Sequence, residues 1–224
     1  MLLIKNANTD PHFNLALDEY LLTQRDEEFF TLWRNEPSVI IGRNQDALKE
    51  INLSFLQQHG IHLVRRMSGG GAVFHDLGNI NFTYIVPCER SDFFNFERFA
   101  APILGALRGL GINAEASGRN DLTIDGRKFS GNAQHMHKGR LLHHGTLLFS
   151  AELSYMQGAL NVDPAKLRGK GVSSVKSRVT NLQDYCPDGM DVTAFLDYLQ
   201  GYLLTHFEGC REYTLTQPDL DRVH

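Results

Sequence analysis

The chain has 224 residues, 42% of them hydrophobic and 21% charged, with a formal net charge of −4. These figures fit a folded chain with a sizeable core and exclude a disordered or low-complexity one. The mild acidity argues against bulk electrostatic binding of nucleic acid, and no apolar run approaches the ~18–20 residues needed to cross a bilayer.

Leu2–Lys5 reads as a short strand, and the charge at Lys5 comes too early for a signal peptide. Asp10-Pro11 is a helix start, followed by Phe13, Ala16, Leu17, Tyr20 and Leu21 at helical spacing. Phe29–Trp33 and Val39–Ile41 read as strands around a turn at Glu36-Pro37. Leu53–His59 reads as a helix stopped by Gly60, and His62–Arg66 as a strand. Asn79–Val86 alternates apolar and polar residues, which predicts a half-buried strand. Phe96–Leu110 is an amphipathic helix ending at Gly111. Asp121–Ile124 and Arg127–Ser130 flank Asp125-Gly126, a type I′ hairpin signal. Leu141–Ser150 is a strand, Val192–Phe207 a long helix and Arg211–Thr216 a last strand. The irregular mix of hairpins and helices predicts an α+β fold with a mixed, largely antiparallel sheet. No repeat or linker divides the chain, so residues 1–224 read as one domain. Cys88, Cys186 and Cys210 are few, widely spaced and without a CxxC pair. Neither a disulfide framework nor a cysteine zinc site is expected, and a reducing cytoplasm is the expected setting.

Four segments carry the chemistry. The first is Arg65-Arg66-Met67-Ser68-Gly69-Gly70-Gly71-Ala72-Val73-Phe74-His75-Asp76. Consecutive glycines permit close backbone approach, and successive N–H groups can form an anion nest. Two arginines add fixed positive charge and bidentate phosphate recognition. The segment is neither a Walker A loop nor GxGxxG, and a tight turn between strands would carry the same glycines. The second is the hairpin, where Asp121 and Lys128 sit symmetrically about the turn. Whether they share a face depends on bulges. Small residues at Ser130, Gly131 and Ala133 would let Lys128 reach a ligand pressed against the strand, although an exposed hairpin with solvated charges is the commoner reading of an isolated lysine. The third is His143-His144-Gly145-Thr146, whose adjacent histidines point to opposite faces of a strand and are poor joint metal ligands. The fourth is the basic stretch Ser173–Leu182, either a phosphate-binding mouth or a solvated loop.

Taken in order, RRMSGGGAVFHDLGNINFTYI (65–85), GRNDLTIDGRKFSGNAQ (118–134), HHGTLLF (143–149) and SSVKSRVTNL (173–182) resemble the lipoate–protein ligase A family. The resemblance implies a biotin/lipoate ligase-like fold related to the class II aminoacyl-tRNA synthetase core. It implies that lipoate and Mg²⁺-ATP give lipoyl-AMP, whose acyl group passes to one lysine of an acceptor. The implied acceptors are lipoyl domains of 2-oxoacid dehydrogenase E2 subunits and the glycine-cleavage H protein. It places Lys128 at the lipoyl carbonyl and α-phosphate, and Arg65 with Gly70, Gly71, Ala72 and Val73 in the nucleotide-binding segment. His75 would lie beside the acyl-adenylate, Asp121 near magnesium, and Ser130, Ala133 and His144 along the pocket wall. Long family members continue into an accessory domain near a Trp-x-Trp motif. This sequence has a single tryptophan, Trp33. An absent accessory domain, or a separate accessory subunit, is therefore expected. An octanoyl transferase of the same fold is the nearest rival. In its cysteine-dependent relatives the nucleophile lies just before the lysine hairpin, where this chain has Glu115-Ala116-Ser117-Gly118-Arg119. Biotin ligase, whose glycine loop differs, ranks lower. A non-catalytic binding subunit is the rival from another class.

Overall fold

The computed structural model describes residues 1–89, 94–117, 120–160 and 179–223. An eight-stranded sheet runs through the molecule in the order β11-β1-β2-β6-β10-β9-β8-β7. Its strands are β1 (Leu2–Lys5), β2 (Phe29–Trp33), β6 (Asn79–Pro87), β7 (Glu115–Ser117), β8 (Asp121–Ile124), β9 (Arg127–His137), β10 (Arg140–Leu148) and β11 (Arg211–Glu212). β1 pairs in parallel with both β2 and β11, and the remaining pairs are antiparallel. A smaller sheet orders β4 (His62–Arg65), β3 (Ser38–Ile41) and β5 (Val73–His75). The α+β class with a mixed, largely antiparallel sheet is therefore as expected.

Local chemistry sets the helix ends. α1 (Pro11–Gln24) starts where the Asp10 carboxylate accepts from His12 N–H at 2.8 Å and proline takes the first helical position. After α2 (Ala47–Glu50), α3 (Leu53–His59) ends at Gly60, whose φ of 63° is left-handed. α4 (Phe96–Gly109) is capped by Asn95, and α5 is Leu153–Ala159. α6 (Val192–His206) begins where Asp191 accepts from the N–H groups of Thr193 and Ala194. α7 is Gln217–Val223.

α4 and α6 cover one face of the large sheet, packing Phe99, Ile103, Phe195 and Leu199 on Phe82, Tyr84 and Leu147. α1 covers the other face at one end, through Phe13, Leu17 and Leu21 against Phe29, Ile85 and Leu142. The small sheet has its own cluster with α3 and α5, including Val39, Ile41, Leu56, Phe74 and Ala159.

Two expectations need correction. β6 is not half-buried: Asn79, Asn81 and Thr83 are as buried as their apolar neighbours, because α1 and the small sheet roof the face they occupy. The last strand is only Arg211–Glu212; the chain leaves the sheet at Tyr213 and turns into α7. Val73–His75, at the end of the glycine-rich segment, pairs with β3 as β5. Residues 173–178 of the basic stretch, with Gly118 and Arg119, lie outside the described residues.

α7 is fastened to α1 by Asp219, which is 3% exposed. Its carboxylate accepts from Tyr20, Arg25, Tyr213, the Thr216 hydroxyl and the Thr216 backbone N–H. Burial alone would raise its pKa, but these hydrogen bonds outweigh burial and hold it well below the ordinary 3.8. The Asp219→Asn protein is expected to lose about 2–3 kcal/mol in urea unfolding. Because the carboxyl titrates lower folded than unfolded, this advantage is full above about pH 4 and shrinks as pH falls toward the folded value. Urea curves at pH 7 and pH 3 check both the size and the direction.

Candidate active site

The two sheets enclose a cavity of about 190 Å³. The large sheet contributes Trp33, Asn81, Lys128, Gly131, Asn132, Ala133, His144 and Thr146. The small sheet and its connections contribute Ile40, Arg66, Gly70, Gly71, Ala72, Val73 and His75. The lining includes the apolar side chains of Leu15, Trp33 and Ile40 and two cations, Arg66 and Lys128. A second cavity of about 210 Å³ lies beneath α1 and shares Leu15, Arg66 and His144 with the first.

Lys128 reaches the site through an irregularity in its hairpin. Asp125 and Gly126 have φ of 51° and 73°, as a type I′ turn requires, and Ile124 and Thr123 pair with Arg127 and Lys128. The register then slips, so Leu122 faces Ser130 and Asp121 faces Gly131. The extra residue, Phe129, is buried in the core under α4 and α6. Across this bulge Lys128 Nζ lies 2.7 Å from Asp121 Oδ1. Its ammonium lies over Gly131: a Cβ there would sit 3.0 Å from Nζ, so a larger residue would displace it.

The glycine bend is shaped by a buried guanidinium. Arg66 donates to the Ile40, Gly69 and Gly71 carbonyls at 3.0, 2.8 and 2.7 Å, and to Ser68 Oγ at 3.0 Å. Burial lowers its pKa to about 10, which still leaves it charged. In a trans peptide the C=O and the following N–H point oppositely. The N–H groups of Gly70 and Ala72 therefore point away from the guanidinium, and both residues line the cavity. Gly70 has φ of 95°, which favours glycine. The expected bidentate phosphate clamp is thus corrected for Arg66, whose donors are committed to the bend's own carbonyls. Arg65 is engaged with the carbonyls of Gly42, Arg43 and Gln45, and it lines the second cavity.

The adjacent histidines separate as their alternation requires. His143 stacks on Phe99 at 4.7 Å and pairs with Gln134 and Asn132, and burial pushes its pKa down to about 3. His144 faces both cavities, with Nε2 2.6 Å from Ser68 Oγ and Nδ1 3.6 Å from the Asp18 carboxylate. Asp18 is itself buried, which raises its pKa, and accepts from Thr83.

Of the residues expected at the site, Gly70, Gly71, Ala72, Val73, His75, Lys128, Ala133 and His144 line the first cavity. Asp121 touches it through Lys128, and Ser130 is buried behind it. Sequence reasoning did not single out Leu15, Trp33, Ile40, Asn81, Asn120 or Asn132. Asn120 and Asn132 exchange side-chain-to-backbone hydrogen bonds that clasp the strand beside Lys128. None of the three cysteines lines either cavity, and burial raises the Cys186 thiol to about 11.

The cleft thus brings two cations, glycine-bend amides and apolar side chains together, an arrangement suited to a ligand that is both anionic and apolar. Comparison with known proteins makes this specific. The model of the lipoyl protein ligase A/B catalytic domain matches residues 10–204, and the chain belongs to that family. It is 43% identical over 229 aligned residues to lipoate-protein ligase LplJ of Bacillus subtilis, covering 100% of this chain and 69% of that protein. Among solved structures, the bipartite lipoate protein ligase of Thermoplasma acidophilum, described with its E2 lipoyl domain, superposes with a TM-score of 0.86. That match has 29% identity and covers 99% of this chain and 89% of the other. A putative lipoate protein ligase of the same archaeon with bound lipoic acid gives 0.82 at 26% identity, covering 99% and 91%. A lipoate-protein ligase A bound with ATP gives 0.83 at 26% identity, covering 99% and 92%.

A Cβ on Gly42 would fall on the Gly70 carbonyl oxygen. Gly42→Ala is therefore expected to push the bend into the cavity and weaken ATP binding at least ~10-fold, read by calorimetry, while circular dichroism shows the fold retained.

Proposed function

We propose that this chain activates lipoate with ATP to lipoyl-AMP and pyrophosphate, and then passes the lipoyl group to the ε-amine of an acceptor lysine. The observation that carries this reading is the placement of the Lys128 ammonium and the Gly70–Val73 bend in the walls of one cavity. Adenylation brings a carboxylate against a triphosphate, so two anions must be held in contact. A fixed ammonium and preorganised N–H groups in a partly dry cleft oppose that repulsion and favour the charge that develops in the transition state. Lys128 bridges the acyl oxygen and the α-phosphate, and the bend's N–H groups, with Arg65 near them, hold the nucleotide. The apolar wall of Leu15, Trp33 and Ile40 takes the acyl chain, with Ala133 and His144 beside it. Once the mixed anhydride exists, the acceptor amine attacks the acyl carbon, the bond to phosphate oxygen breaks, and AMP leaves. No enzyme nucleophile is needed, and rate comes from positioning.

Among the described residues no group of three His, Cys, Asp or Glu side chains could hold a metal. Asp121 is the carboxylate that would hold magnesium at the cavity edge. Phosphate oxygens and water complete the oxygen set this ion prefers, and bound there it neutralises phosphate charge. The acceptors are lipoyl domains of 2-oxoacid dehydrogenase E2 subunits and the glycine-cleavage H protein. The free thiols of Cys88, Cys186 and Cys210 support a cytoplasmic setting. The thiol-dependent octanoyl transfer reading is disfavoured, because no cysteine reaches the cleft.

Adenylation is measured by lipoate-dependent exchange of pyrophosphate into ATP, and transfer by the mass gained by a lipoyl domain given lipoyl-AMP. Transfer without exchange is the signature of a required accessory subunit or domain. Lys128→Ala is expected to lower both activities at least ~100-fold with an unchanged melting temperature. Normal turnover in that protein would overturn the assignment, and acylation from a carrier thioester without nucleotide would favour octanoyl transfer.

A further inference from the structure

His75 lies in β5 at the wall of the first cavity, 4% exposed, and its Nε2 has no partner among the described residues. Its Nδ1 is 3.1 Å from Asn35 Nδ2. Which ring nitrogen carries the hydrogen follows from a chain of amides that starts outside the site. Asn14 Nδ2 donates to two backbone carbonyls, Asn8 O at 3.0 Å and Arg34 O at 3.1 Å, which a carbonyl oxygen could not do. Asn6 fixes the other end: its Oδ1 accepts from Asn8 N–H, so its Nδ2 donates to Asn14 Oδ1 at 2.6 Å. With Asn14 oriented, its two hydrogens are shared among these carbonyls and the Asn35 atom 2.9 Å away, which is the oxygen because an amide nitrogen there would set donor against donor. Asn35 therefore turns its NH₂ to His75, Nδ1 must accept, and the ring hydrogen sits on Nε2. The ring is also kept neutral: burial, then the nearby Arg66 guanidinium, lower its pKa to about 3.

We propose that Asn14 and Asn35 are positioning residues that lock the tautomer of His75, making its Nε2–H a permanent neutral donor to a carboxyl or acyl oxygen of the substrate. The role rests on the ligase reading of the cavity. A neutral imidazole suits this task, because it offers a hydrogen bond without contributing a transferable proton that a carboxylate could capture. An unpaired buried N–H is costly, so an acceptor oxygen that reaches it from the cavity is rewarded.

The tautomer is read without any ligand, by nitrogen-15 NMR of the ¹⁵N-histidine-labelled chain, and so stands or falls apart from the ligase reading. The expected spectrum has His75 protonated at Nε2 only and unchanged from pH 5 to pH 9; an Nδ1–H ring, or titration near 6.5, overturns the proposal. Lipoate and octanoate share a carboxylate, so both are expected to move the Nε2–H resonance. Movement with lipoate alone would place the donor at the ring end and also overturn it. Asn35→Asp keeps the shape but replaces the donor with an acceptor. It is expected to transfer the hydrogen to Nδ1 and to lower kcat for adenylation ~10–100-fold more than it changes the KM for lipoate. An unaltered tautomer or unaltered kcat in a folded Asn35→Asp chain refutes the relay. If Asn35→Asp fails to fold, Asn14→Asp gives the same reading one step upstream, through a loosened Asn35 and a mixed tautomer.

Discussion

The architecture of this cleft depends on one buried side chain. The Arg66 guanidinium is 7% exposed and fastens β3 through Ile40, the glycine bend through Gly69 and Gly71, and Ser68, which in turn meets His144 on the large sheet. Burying a guanidinium is costly, and only a full set of acceptors offsets that cost. Here the acceptors are main-chain carbonyls of the loop that must be shaped. The same bonds that satisfy the charge therefore fix the conformation of a segment that glycine leaves free.

A complementary arrangement serves the second cation. Lys128 stands on a bulged hairpin whose extra residue is anchored in the main core, while its ammonium is oriented by Asp121 and lies over Gly131. Arg66 is enclosed and saturated with partners; Lys128 is two-fifths exposed and paired only with a carboxylate at the cavity edge, as the proposed contact with a substrate oxygen requires. This division follows from chemistry, since a planar fork suits several fixed carbonyls and a compact ammonium suits a moving anion.

Much of this was legible in the residue order. Asp10-Pro11, Gly60 and Asp125-Gly126 mark boundaries because each has a local reason to adopt its backbone geometry. What escaped is non-local. The alternation in β6 predicts one wet face, yet Asn81 and Thr83 are roofed by elements distant in sequence. The slip in β9 comes from burying Phe129, which no short-range signal announces. Of two consecutive arginines, Arg66 is the one enclosed by the bend, and only the way β4 enters the loop decides that. The asparagines at 14 and 35 carry no pattern of their own. Their significance is a matter of which carbonyls lie nearby.

The small sheet has an apolar cluster separate from the main one, and the cleft lies between them. A molecule seated there touches both halves at once and acts as mortar between two bricks. Occupancy should thus weld the halves into a single cooperative melting unit, with the gain in heat resistance growing as ligand exceeds its dissociation constant. The substrate is in this sense the last structural element to be added.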